Sequence, residues 1–232
     1  MISGLQKMTL LDFPGKIACT VFLHGCNMRC PFCHNSELLG GKGEELMTRE
    51  AFFAFLKTRK GLLDGVCVSG GEPTLQRDLP EFLREIKDLG FAVKLDTNGT
   101  RPEVLKALVA ENLVDYVAVD VKNCPRLYAQ TAGAKLEVAQ IEETFRFLMA
   151  DHVDYELRTT LVEPLHDGQC VEEMGQWLSS LLPGKKPKRW FLQRLVDRDP
   201  VVFSGLSAPE ENAVSAYAGR LAQYAEQVAV RN

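Results

Sequence analysis

The feature that most constrains this chain is an alternation. Short, nearly continuous apolar runs recur at 17–23, 65–69, 91–95, 114–119, 155–161 and 190–193. Runs of this length read as buried parallel strands. Between them lie stretches with apolar residues at helical spacing. Thr48 caps a helix expected to reach Lys60, and Gly90 stops another spanning 80–89. Pro102 sits in the first turn of a third, which ends at Glu111, and two more cover 138–150 and 171–182. A Ser207–Glu210 capping box starts the last, expected to run to Val228. Alternating strands and helices require a parallel sheet with right-handed crossovers. Six such units are too few to close an eight-stranded barrel. The expectation is therefore an α/β fold, a partial (βα)6 TIM-like barrel open on one side. At 232 residues the chain suits one domain, with a lead-in at 1–16, a barrel core at 17–200 and a helical tail at 201–232.

Five of these six apolar runs lead into residues that can do chemistry. The first leads into Cys26-Asn27-Met28-Arg29-Cys30-Pro31-Phe32-Cys33, and the second into Gly70-Gly71-Glu72-Pro73. The third ends at Asp96-Thr97-Asn98-Gly99, the fourth at Asp120-Val121-Lys122, and the sixth at Gln193. Parallel barrels place their chemistry at these C-terminal strand ends, and unrelated loops would have no reason to share that register. Thiolates as dense as Cys26, Cys30 and Cys33 are metal ligands more often than packing residues. A structural zinc site needs four ligands, as does an electron-transfer [4Fe–4S] cluster. Three thiolates would hold three irons and leave the fourth open to a substrate. A zinc site or incidental thiols is the plain alternative.

The other groups have plain readings too. Two glycines let a backbone approach a ligand closely, and Glu72 supplies an acceptor for an ammonium group, yet G-G-E-P alone is a turn. Asp-Thr-Asn-Gly is turn-like by composition. Asp120 and Lys122 would suit a solvated loop. Arg158 lies in the fifth strand, where a charge needs a partner, either a ligand or a structural ion pair. His24 and His34 flank the cysteine loop as neighbours rather than ligands. Cys67 reads as a small buried hydrophobe. Cys19, Cys124 and Cys170 receive no role.

The C-x3-C-x2-C spacing, with Phe32 just before the last cysteine, resembles the cluster loop of the radical S-adenosylmethionine (SAM) enzymes. The resemblance implies a [4Fe–4S] cluster on Cys26, Cys30 and Cys33 whose open iron binds SAM. It implies that Gly70, Gly71 and Glu72 position the methionyl amine and that Phe32 covers the adenine. Asp12-Phe13-Pro14-Gly15, Asp96-Thr97-Asn98-Gly99 and Asp120-Val121-Lys122 resemble segments of the activases of glycyl-radical enzymes. There the motif implies a monovalent cation held by Asp96, Thr97 and Asp120, with Lys122 near SAM and Arg158 in contact with it. The short chain without extra cysteine clusters is most similar to the activating proteins of anaerobic ribonucleoside-triphosphate reductase. That likeness implies a glycyl-radical enzyme as partner and a low-potential electron donor such as flavodoxin or ferredoxin. One departure stands out: pyruvate formate-lyase activase carries a His after the sixth strand, where this chain has Gln193-Arg194-Leu195. What replaces that His near SAM is left open, and His166, in the loop after the fifth strand, is one residue to weigh.

A net charge of −4 argues against general nucleic-acid or membrane binding. The 185–189 stretch, Lys-Lys-Pro-Lys-Arg, is too short and interrupted to change that. No run approaches 18 apolar residues and 1–9 has no apolar leader segment, so a reducing cytoplasm is expected. Three other functions stay open. They are a pyruvate formate-lyase-type activase, a radical SAM enzyme acting on a small molecule such as 7-carboxy-7-deazaguanine synthase, and a non-enzymatic iron–sulfur electron carrier.

Overall fold

The computed structural model describes residues 1–40, 45–196 and 205–231. In chain order its elements are β1 (Ile2–Thr9), β2 (Ala18–Leu23), α1 (Arg49–Lys57), β3 (Gly65–Gly70), α2 (Leu79–Asp88), β4 (Ala92–Thr97), α3 (Pro102–Ala110) and β5 (Tyr116–Asp120). There follow α4 (Pro125–Ala132), α5 (Val138–Met149), β6 (Asp154–Leu161), α6 (Gly168–Leu181), β7 (Arg189–Arg194), α7 (Glu211–Leu221) and β8 (Gln227–Arg231). The hydrogen-bonded strand order follows the chain, β1 to β8. The expected α/β fold and its six strands are present as β2 to β7. The chain divides into two compact units. One comprises Met1–Asn27, Glu37–Thr97 and Glu103–Val117, the other Met28–Ser36, Asn98–Pro102 and Ala118–Asn232.

In the first unit β2, β3 and β4 pair in parallel, and β1 runs antiparallel along β2. Thr20 lies opposite Cys67, and Cys67 opposite Lys94, so these three share one face across three strands. Thr48 caps α1 as expected, accepting from Ala51 N at 3.2 Å. Helices α1 and α2 bury Phe52, Phe53 and Phe82 together, with ring centroids 5.5 Å apart. Phe13 packs on Tyr116 and Ala18, while Asp12 accepts from Thr20 Oγ1 at 2.5 Å. The Asp12–Gly15 segment thus plugs the N-terminal ends of the strands, opposite the end that carries the other motifs.

In the second unit β6, β7 and β8 are parallel. Trp190 is fully buried, and its indole N–H donates to Thr159 Oγ1 at 3.0 Å. Helices α6 and α7 meet where Gly175 leaves room for Tyr224, since a Cβ there would fall 2.1 Å from the ring. Arg231 donates to both oxygens of the fully buried Glu156, at 2.8 and 2.7 Å, and lies over the Phe191 ring. Breaking a buried pair of this kind costs about 3–5 kcal/mol.

Four expectations need correction. The 1–16 lead-in holds β1, an edge strand in which only Ile2 and Thr9 are buried. The 201–232 tail is not all helix, because α7 stops at Leu221 and β8 follows. The 200/201 boundary itself lies outside the described residues. Ser207 does not cap α7, whose N-cap is Glu210; instead Ser207 and Glu163 exchange two backbone hydrogen bonds, at 2.8 and 3.1 Å. Helix α4 was not anticipated, although Pro125 starts it and Gly133, at φ +61°, ends it.

Candidate active site

Along β3 and β5 the residues are buried until the C-terminal end, where Ser69, Gly70 and Asp120 become half-buried. Of the expected site residues, Cys26, Cys33, Gly70, Gly71, Asp96, Asp120, Lys122 and Arg158 are half-buried, whereas Cys30, Phe32, Glu72 and Thr97 are buried. Each unit carries part of the set.

In the first unit the Gly70–Glu72 turn packs against the residues leading to Cys26. Gly70 has φ +129°, a conformation side chains disfavour, and a Cβ on it would fall 2.2 Å from Leu23 O. A Cβ on Gly71 would fall 2.2 Å from Gly25 O and 3.1 Å from Cys26 Cβ. The backbone bond from Glu72 N to Gly25 O, at 2.8 Å, holds the two segments together. Glu72 is fully buried. Its Oε1 accepts from Thr74 N at 3.0 Å, Thr74 Oγ1 at 2.5 Å and Thr97 Oγ1 at 2.8 Å. That carboxylate therefore ties the end of β3 to the end of β4. Asp96 Oδ1 accepts from Lys94 Nζ at 2.7 Å and from Cys67 Sγ at 3.5 Å. His24, expected to be a hydrogen-bonded neighbour, has both ring nitrogens buried without a hydrogen-bond partner.

In the second unit the cysteine loop is seated on the end of α4. Arg29 N donates to Ala132 O at 2.9 Å, and Cys30 Sγ lies 3.8 Å from the same oxygen. Phe32 is buried and meets the His166 ring edge-on, centroids 6.4 Å apart. Asp120 accepts from Lys122 Nζ at 2.8 Å and from Arg158 Nε at 3.2 Å. Arg158 thus has the ion pair that a charge in a core strand requires. Burial opposes the charge on Lys122, but the adjoining Asp120 and Cys30 outweigh it and hold the ammonium well above its usual value. Burial pushes the Cys33 thiol up, opposed by a backbone hydrogen bond from Asn35.

His166, left open in the sequence as a stand-in for the missing His, has a bracing role that sequence reasoning missed. Its Nδ1 accepts from Val162 N at 3.1 Å and its Nε2 lies 2.8 Å from Lys122 O, which fixes the Nε2–H tautomer. Burial lowers its pKa, so it is neutral. It braces the Asp120–Lys122 loop and supports Phe32. Asn123, fully buried, donates to Thr131 Oγ1 at 2.7 Å and Leu165 O at 2.9 Å, and accepts from Cys124 N and Cys170 Sγ. Arg194, beyond the missing His, turns to Pro209 O at 3.0 Å. The sequence signals were a charge, Lys94, inside an apolar run and a polar residue, Asn123, just beyond a strand-end motif.

The donor set fits an iron–sulfur cluster. None of the three cysteines of the loop is tied up in a disulfide, and Cys26 and Cys33 are partly exposed. Among the described residues no three His, Cys, Asp or Glu side chains converge as they would on one metal ion. A cluster asks for something else, since each thiolate binds a different iron. The glycines of the Gly70–Glu72 turn leave backbone exposed beside Cys26, as close approach of a ligand requires. Among the described residues no helix is long and apolar enough to cross a membrane.

A family model described as the radical SAM superfamily matches residues 20–179. The chain is 31% identical to a Methanocaldococcus jannaschii protein provisionally named a glycyl-radical enzyme activating enzyme, over 100% of this chain and 95% of that one. It is 37% identical to the pyruvate formate-lyase-activating enzyme of Clostridium pasteurianum, over 53% of this chain and 52% of that one. Among solved structures, a domain of pyruvate-formate lyase-activating enzyme from Bacteroides vulgatus superposes with a TM-score of 0.60 at 20% identity, covering 72% of this chain and 99% of that one.

Proposed function

This chain belongs to the radical SAM superfamily of enzymes, and from that premise we propose that it is the activase of a glycyl-radical enzyme. The observation that carries this reading is similarity along the full length of a relative named for that activity. When bound, the reduced [4Fe–4S] cluster supplies the electron that cleaves SAM to methionine and a 5′-deoxyadenosyl radical. In this reading Cys26, Cys30 and Cys33 hold the cluster. Gly70 and Gly71 offer backbone to the methionyl part of SAM, and Glu72 both fixes that turn and faces the amine. Asp96, Thr97, Asp120, Lys122 and Arg158 orient the rest of SAM, and Phe32 borders the adenine.

The partner is a polypeptide with a glycine loop, and anaerobic ribonucleoside-triphosphate reductase is the partner proposed. Glycine suits the reaction because its backbone can approach closely without a side chain in the way. A flavodoxin or ferredoxin would deliver the electron, in the reducing cytoplasm that a labile cluster requires. The test uses the reconstituted protein, SAM, reductant and the reductase. Electron paramagnetic resonance should show a glycyl doublet on the partner, absent when its glycine is replaced by alanine. No doublet, with turnover of a purine precursor instead, would replace the activase reading with small-molecule chemistry.

A further inference from the structure

The three oxygen groups that the resemblance assigns to a monovalent cation are already engaged by side chains. Asp96 Oδ1 accepts from the Lys94 ammonium at 2.7 Å and from the Cys67 thiol at 3.5 Å. The Thr97 hydroxyl donates to Glu72 Oε1 at 2.8 Å. Asp120 accepts from Lys122 at 2.8 Å and from Arg158 at 3.2 Å. The first pair is the most telling, because the Lys94 side chain is only 1% exposed and Asp96 12%. Lysine is almost never fully buried unless paired, and taking an ammonium out of water is costly. A neutral residue in the apolar run of β4 would avoid that cost.

The strand register explains how the ammonium reaches its place. Lys94 lies opposite Cys67. Lys94 and Asp96, two apart on one strand, share a face. The lysine stem therefore starts among buried neighbours one layer down and delivers its charge to the carboxylate at the strand end.

We infer that Lys94 is a positioning residue that serves Asp96 as a built-in counter-ion, in the role an inorganic monovalent cation would otherwise fill. This rests on reading the strand ends as the SAM site. A tethered ammonium cannot be lost by dilution and does not select among alkali ions. The Lys94 ammonium stands 2.7 Å from Asp96 Oδ1 and offsets the carboxylate's charge. SAM affinity should then be indifferent to which monovalent cation is in the buffer.

Two measurements test this. The first titrates SAM into the reconstituted, unaltered protein in sodium, potassium and choline chlorides at one ionic strength. Affinity should stay within about twofold across the salts, the residue of general screening. A saturable dependence on sodium or potassium, larger than about fivefold, overturns the inference. The second follows the melting temperature of the cluster-free chain for Lys94→Met and for Lys94→Met with Asp96→Asn. The single variant takes the Lys94 ammonium away from the Asp96 carboxylate and should melt lower, and the double variant, which removes that negative charge as well, should regain most of the loss. Potassium should raise the single variant above its value in choline and leave the unaltered chain unmoved. A merely structural lysine would give the drop without the cation response. A single variant that melts with the parent, or that ignores potassium, overturns the inference. Failure to bind SAM in any salt would sink the activase reading, while the melting data would still decide the Lys94–Asp96 pair.

Discussion

Substituting Gly71 by alanine should damage the protein more than its exposure suggests. The added Cβ would stand 2.2 Å from Gly25 O and 2.6 Å from Gly25 C. An ordinary carbon–oxygen contact is about 3.3 Å, so the Gly25 carbonyl must retreat by about 1 Å. Both obstacles are backbone atoms, and no rotamer change relieves them. The same carbonyl accepts from Glu72 N at 2.8 Å, and a retreat of that size takes it out of hydrogen-bonding range. Losing a sheltered backbone bond costs about 1–3 kcal/mol, and residual crowding about as much again. The sum, about 2–6 kcal/mol, lowers the melting temperature of a chain this long by about 4–24 °C. Gly61→Ala is the control. Its φ is +79° with nothing within 4 Å, so it should lose only the left-handed penalty of about 1–2 kcal/mol. Melting of the cluster-free chain is the first assay. Iron retained after anaerobic reconstitution is the second, because Gly25 adjoins Cys26. A Gly71→Ala protein melting within about 2 °C of the parent, with full iron, would show that the segments yield freely and refute the reasoning.

Other outcomes are expected. Alanine at Cys26, Cys30 or Cys33 should abolish the cluster, whereas alanine at Cys19, Cys67, Cys124 or Cys170 should leave iron content unchanged in whatever folds; retained iron in Cys30→Ala would count against the assignment. Glu72→Gln keeps an acceptor for Thr74 and Thr97 but removes the charge, so iron should persist while SAM affinity falls about tenfold or more; undiminished affinity would remove Glu72 from the amine. His166 is neutral in the fold, where burial lowers its pKa, but protonates below about 6.5 when unfolded. Its contribution is therefore complete above that pH and is lost as pH falls further, because the unfolded state then binds more protons. The parent melting temperature should drop more steeply below neutrality than that of His166→Asn, and parallel slopes would contradict this.

Much of the fold could be read in the sequence because the buried strands are nearly continuous apolar runs. Strand β3 needed no tertiary information, and Thr48 and Gly90 punctuate their helices as local rules require. Strand β1 could not be read the same way. Ile-Ser-Gly-Leu-Gln-Lys-Met-Thr is an edge strand with all six of its inner positions half or fully exposed, so packing imposes little pattern on it. Strand β8, Gln-Val-Ala-Val-Arg, carries an alternation that the preceding helical pattern masked, and its anchor is a charge pair 75 residues apart. At the site, motif residues stood out because glycine, cysteine and acid clusters are locally unusual. Lys94 did not, and the role of His166 could not be read, because their partners are set by register and loop closure. Arg158 drew attention as a charge in a strand, and the same test applied to Lys94 would have found it.

The seat of Cys30 on Ala132 joins residues 102 positions apart. It gives the metal loop a place in the timetable of synthesis. The cysteines leave the ribosome early, and the helix that fixes Arg29 and Cys30 follows about a hundred residues later. At about 5–20 residues per second, that interval is about 5–20 s. During it the loop has its thiols but not its seat, and iron arriving then meets a flexible peptide. Chains halted before α4 are therefore expected to hold iron less tightly than full-length chains, as competition with a chelator would measure. On the proposed assignment of Cys26, Cys30 and Cys33 to the cluster, loading is expected only after α4 has been made, when the loop has its seat.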